Sequence, residues 1–116
     1  MIHMAHASRH HWQEVGKPLQ WAVGEWQVSH VYAVLKRPEP ALYHARRGLE
    51  ICRRHGLRDF TLAYAYESLA RATGIGGVWR ASARFARLAA KAGDRIREKA
   101  DREQFLKDLA TLPRRR

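Results

Sequence analysis

The sequence predicts an all-α domain, and three observations carry that prediction. Small residues recur at helical spacing in ALYHARRGLEIC, at Ala41, Ala45, Gly48 and Cys52, while arginines crowd the opposite side. Proline and glycine clusters (GKP at 16–18, RPEP at 37–40, GIGG at 74–77) cut the chain into helix-sized lengths. No alternating polar–apolar run bounded by turn signals argues for a sheet.

The chain has 116 residues, enough for one domain with one core. With 46% hydrophobic and 28% charged residues, a soluble globular protein is expected rather than a disordered one. Twenty-two Lys and Arg against eleven Asp and Glu leave a net charge of +11, which favours anionic partners or surfaces without identifying one. No stretch approaches the ~20 apolar residues needed to cross a bilayer, so no membrane partner is expected. MIHMAHASRHHW lacks the apolar centre of a secretory signal, and the single cysteine cannot form an internal disulfide. These features together predict a cytoplasmic location.

The elements follow in order. Residues 1–17 form a His-rich N-terminal segment with a short helix from about Ala5 to Val15. Residues 18–56 make a first helix pair. Pro18 suits the first turn of a helix reaching about Lys36, RPEP breaks it, and Glu39 and Pro40 suit the opening turn of the returning helix. That helix ends near Arg54 with Gly56 as its stop. Residues 57–97 make a second pair: Asp59 is expected to cap FTLAYAYESLARAT, GIGG stops it, and a further helix runs from near Val78 to Ala92 or on to Ile96. Residues 98–112 hold a capping helix, in which Asp101 and Gln104 resemble a capping box and Phe105, Leu109 and Leu112 share one face. Residues 113–116 are a basic tail, and the total is five to six helices.

An internal repeat organises the middle of the chain. Moving the small positions of the quoted stretch forward by 41 gives Ser82, Ala86, Ala89 and Gly93, all small again. In the preceding helices Val28-Ser29 maps to Leu69-Ala70, Ala22 to Ala63 and Val23 to Tyr64. Two helix–turn–helix copies at a fixed period are the mark of a helical repeat. The small stripe lets the returning helix close against the first at the usual ~8–10 Å between axes. A plain antiparallel bundle is the alternative arrangement.

On these residues the chain resembles the tetratricopeptide-repeat family. Ser29, Ala41, Ala45 and Gly48 fit one unit, with Tyr32 at the family's aromatic position, while Tyr66, Leu69, Ala70, Ser82, Ala86 and Ala89 fit the next. The resemblance covers about residues 20 to 93, and DFTLAYAYESLARA is similar to small uncharacterised bacterial proteins of this type. It departs from the family in its period (41 against ~34), in Ala45 and Ala86 where an aromatic is usual, and in having no proline at the end of either unit. The resemblance implies a right-handed stack of antiparallel helix pairs acting as a non-catalytic adaptor. Its first helices would line a concave groove for a protein or peptide segment, with Val23, Trp26, Gln27 and His30 from one unit and Tyr64, Glu67, Ser68 and Arg71 from the other. Aromatics beside polar handles suit such recognition. The competing reading makes Trp26 and Tyr64 core residues and Glu67–Arg71 a surface ion pair of little consequence.

A short stack leaves apolar ends. Terminal helices can cover them, or two chains can cover each other, so a homodimer is a further expectation; Trp12, Trp21, Trp26 and Trp79 are many tryptophans for so small a core. The alternative function lies on the opposite side. Residues 36–58 carry seven positive and two negative side chains, and residues 80–97 six and one. Arg80, Arg84, Arg87, Lys91 and Arg95 form a stripe on the second helix of the second pair, with Arg46, Arg47, Arg53 and Arg54 in the first, which together suit nucleic acid or another polyanion. The plainer reading is an ordinary solvated face.

Catalytic chemistry is not expected. His3, His6, His10 and His11 include an i, i+4 pair, but Glu14 is their one nearby carboxylate, so neither metal nor cofactor is predicted. His44 and His55 have no evident acid partner, Cys52 fills a slot in the thin face as a small hydrophobe, and GIGG follows no strand.

Overall fold

A computed structural model describes residues 17–115. The His-rich segment, with the short helix expected there, Trp12 and the four N-terminal histidines, lies outside them. Five α-helices follow one another: α1 (Lys17–Val34), α2 (Pro38–His55), α3 (Asp59–Ile75), α4 (Trp79–Gly93) and α5 (Lys99–Leu109). The described residues hold no strand, and no helix among them is long and apolar enough to cross a membrane.

The period of 41 seen in the sequence is carried by the backbone. Val34 and Ile75 end α1 and α3, and Pro38 and Trp79 begin α2 and α4, each pair 41 apart. The turns between them are the same turn. Arg37 N–H donates to Tyr32 C=O and Lys36 N–H to Ala33 C=O; 41 residues on, Val78 N–H donates to Thr73 C=O and Gly77 N–H to Gly74 C=O. Both are Schellman stops, which need a left-handed residue just past the helix. Gly77 takes it without penalty at φ 79°, and Lys36 takes it at φ 60° against its Cβ.

Each hairpin is then closed by one buried hydroxyl, in opposite senses. Ser29 Oγ on α1 donates to Ala41 C=O on α2 at 2.7 Å, whereas Ser82 Oγ on α4 donates to Ala70 C=O on α3 at 2.8 Å. Positions 29/41 and 70/82 are the same pair, with serine and alanine exchanged. Ala41, Ala45, Gly48 and Cys52 are all buried on the inner face of α2; on α4 Ser82, Ala89 and Gly93 are buried and Ala86 is half-buried.

Packing runs mainly between helices that follow one another in the chain, with α3 at the centre. α1 meets α2 and α3, α3 meets α2, α4 and α5, and α4 meets α5. Two main apolar clusters result. Ala22, Ala45, Leu49, Cys52, Ala65 and Leu69 join α1, α2 and α3, and Ala63, Tyr64, Ala89, Ala92, Ile96 and Phe105 join α3 and α4 to α5. With so many alanines the helices must approach closely to leave no void. α3 sits in both clusters, which is why FTLAYAYESLARA is apolar or small on nearly every side.

Two helix starts differ from the sequence expectation. Asp59 does not cap α3: it is the first helical residue, at φ 54°, and no side chain caps that end. The capping box at Asp101 and Gln104 is likewise absent. α5 begins earlier, capped by Glu98, whose side chain accepts from Ala100 N–H at 3.0 Å, and Gln104 instead donates to Asp108 Oδ1. Glu98 leads Asp101 because it stands at the true helix start, where backbone donors are still unpaired.

Candidate functional site

Of the four residues expected to line the second unit's share of the groove, Tyr64 and Arg71 are engaged by α5. Tyr64, Glu67 and Ser68 are buried. Phe105 drives the docking: it is fully buried edge-on to the Tyr64 ring, centroids 4.9 Å apart, and rests on Gly93. A Cβ at position 93 would stand 2.5 Å from Phe105 Cε2, so this last small residue of α4 serves α5 rather than the hairpin. In α2 the same position is Cys52.

Polar contacts fasten the far end of α5. Tyr64 Oη donates to the Asp108 carboxylate. Burial, and then this hydrogen bond, push the Tyr64 phenol well above its usual range, so it remains a donor. Arg71 donates to Asp108 C=O at 3.0 Å, Thr111 Oγ1 at 2.8 Å and Thr111 C=O at 3.3 Å. It thereby adds donors at the end of α5, where Asp108 C=O also accepts from Thr111 N–H and Oγ1, and sets a cation at the negative end of that helix. Arg71 also meets Glu67 at 3.3 Å, with the two side chains 11% and 5% exposed. The pair is therefore buried, not the surface pair of the plainer reading. Burial raises the Glu67 carboxyl above its usual range, Arg71 pulls it back and Asp108 adds to the rise. Ser68 is occupied on its own helix, donating to Tyr64 C=O at 2.8 Å.

The first unit's share is in a different condition. Val23, Trp26, Gln27 and His30 are each half-buried on α1. Trp26 stacks on Tyr64, centroids 4.6 Å apart and 14° from parallel, so it bridges the two units. Its Nε1 and the Oε1 of neighbouring Gln27 are buried without a hydrogen-bond partner, which costs about 1–3 kcal/mol for each group left unpaired. Burial, and then the charge of Arg71, hold the His30 imidazole below its usual range, with Asp108 opposing; at neutral pH it is an uncharged donor and acceptor.

On the outward side, Arg80, Arg84, Arg87, Lys91 and Arg95 are all exposed, and none forms an ion pair among the described residues. α2 is partly neutralised. Arg47 lies 3.3 Å from Glu25 and Arg54 3.0 Å from Glu50, whereas Arg46 and Arg53 are exposed and form no ion pair among the described residues. His44 does have an acid partner, contrary to expectation, with Glu25 Oε2 3.0 Å from its Nδ1. That contact joins two helices, and nothing in a spacing of nineteen residues announces it.

Cys52 is buried, and burial pushes its thiol up to about 11, far from the reactive thiolate. Among the described residues no three His, Cys, Asp or Glu side chains group as metal ligands would. Sequence reasoning missed Asp108 and Thr111, whose roles depend on where α5 lands. The signal that could have located the landing was Gly93, the one glycine in its stripe with a phenylalanine downstream. No protein-family model, curated protein or solved structure matches the chain.

Proposed function

We propose that the chain is a non-catalytic protein-binding module of the tetratricopeptide-like kind, a right-handed stack of helix pairs that takes a protein or peptide segment along the first helices of its pairs. The reading is supported above all by the half-buried Trp26, Gln27 and His30 of α1, with the Trp26 ring stacked on Tyr64 of the second unit. The docked α5 supports it from within, since the second unit already holds a helical segment by an aromatic anchor and a clamp on its carbonyls. The segment would come from another protein or from a second copy of the chain.

Gln27→Ala with His30→Ala tests the reading without touching the Trp26–Tyr64 stack. Immobilised wild-type protein should retain a partner from native lysate at physiological salt, and this variant should lose it while keeping its melting temperature. Retention by the variant would end the groove assignment. Light scattering over micromolar concentrations tells whether the partner is a second copy.

A second reading, polyanion binding, is favoured by the four exposed cations of α4, Arg80, Arg84, Arg87 and Lys91, and by Arg95 just beyond it, none with an ion pair among the described residues. Duplex DNA should then bind at ~50 mM salt and be released as salt rises, with Arg84→Glu and Arg87→Glu removing the effect. Absence of binding at that salt disposes of it.

A further inference from the structure

The repeat allows each position of the second hairpin to be compared with its counterpart 41 residues earlier, and one patch departs in a consistent direction. In the first hairpin Glu50 pairs with Arg54, Glu25 with Arg47, and Trp21 lies at the same end of α1 with its ring edge toward His55. The counterparts of Glu50 and Arg54 are Lys91 and Arg95, two cations. Those of Glu25 and Arg47 are Tyr66 and Leu88, both apolar in character, and that of Trp21 is the smaller Leu62. Where the first hairpin supplies a carboxylate and an indole ring, the second supplies neither.

What it has there is a cavity. Leu62, Tyr66 and Leu88 line an open recess of about 230 Å³ between α3 and α4, with Arg58, Lys91 and Arg95 at its polar margin. None of the three cations has an ion pair among the described residues. Asp59 also lines the recess, leaving three positive charges to one negative. A cavity of ~150 Å³ accommodates benzene, so this one has room for a single ring carrying a head group.

We propose that this recess binds a small aromatic anion, an aryl carboxylate or aryl phosphate, with its ring on Leu62, Tyr66 and Leu88 and its charge between Arg58, Lys91 and Arg95. The ligand restores to the second hairpin the ring and the negative charge that Trp21 and Glu50 give the first. The site is separate from the α1 groove, so neither assignment depends on the other. It also differs from diffuse binding along α4, because Lys91 alone of that helix's cations lines it, with Arg95 just beyond the helix.

Calorimetric titration with phenyl phosphate, inorganic phosphate and benzyl alcohol tests the assignment. Phenyl phosphate should bind, and each half-molecule should bind at least about tenfold more weakly, since ring and charge contribute separately. Lys91→Glu recreates the first hairpin's ion pair at an exposed position and should abolish binding with the melting temperature kept. Asp59→Asn, tolerated at a left-handed residue, should tighten it a few-fold by removing a repulsion. Arg84→Glu with Arg87→Glu should leave it unchanged. Equal binding of inorganic and phenyl phosphate, no binding of phenyl phosphate at all, survival of binding in Lys91→Glu, or its loss in the Arg84/Arg87 variant would each overturn the proposal.

Discussion

The two hairpins share a backbone and differ in what surrounds it. Their turns carry the same hydrogen bonds 41 residues apart, and their inner faces are joined by the same serine–carbonyl bond in opposite directions. Yet the first pairs Glu25 and Glu50 with arginines on its outer surface, while Arg80, Arg84 and Arg87 of the second form no ion pair among the described residues and α5 covers its other side. The repeated geometry is set by residue size and by the left-handed stop. The differences are in groups that make or lack a partner, and a repeat can vary those without losing its shape.

The largest effect that should separate the hairpins comes from the cover. Phe105→Ala removes the anchor of α5 and should cost about 3–5 kcal/mol in urea unfolding, with the second hairpin affected and the first little changed in hydrogen exchange. Equal loss of protection in both would mean that α5 supports the whole domain.

Glycine-to-alanine substitution should have opposite signs in the two stripes. Gly93→Ala drives a methyl into the Phe105 ring and should destabilise by about 1–3 kcal/mol. At Gly48 a Cβ meets Glu25 Cβ at an ordinary 3.5 Å. Gly48→Ala, which reproduces the second hairpin's Ala89, should therefore stabilise by about 0.5–1 kcal/mol through helix propensity.

The shared turn gives a third contrast. Lys36→Gly relieves a left-handed residue and should stabilise by about 1 kcal/mol, whereas Gly77→Ala imposes the same strain on the second turn and should cost a similar amount. Thermal melts of both variants decide it.

The smallest effect concerns pH. The imidazole of His30 is held below its usual range, so the unfolded chain takes up that proton first as pH falls. Stability should decline from about pH 6.5 downward through this group, and His30→Gln should flatten the melting temperature between about pH 6.5 and 5. An unchanged slope would remove His30 as the cause.

Much of the fold was legible because it rests on local signals. The four small positions of ALYHARRGLEIC, the RPEP and GIGG breaks and the stop at Gly56 are read within one or two helical turns, and the structure places helices and stops accordingly. The caps were less legible. Asp59 and Asp101 have the right chemistry for a cap, but whether a residue caps depends on the turn at which its helix starts.

The sequence by itself determined the all-α class, the period of 41 and the close approach within each hairpin, because smallness and chain breaks act on near neighbours whatever lies beyond. Only the tertiary structure decided that α5 docks on Tyr64, that Arg71 is spent on Asp108 and Thr111 some forty residues away, and that Trp26 and Gln27 keep an unpartnered donor and acceptor. A buried polar group's partner is chosen by which distant segment packs over it, and spacing along the chain holds no record of that choice.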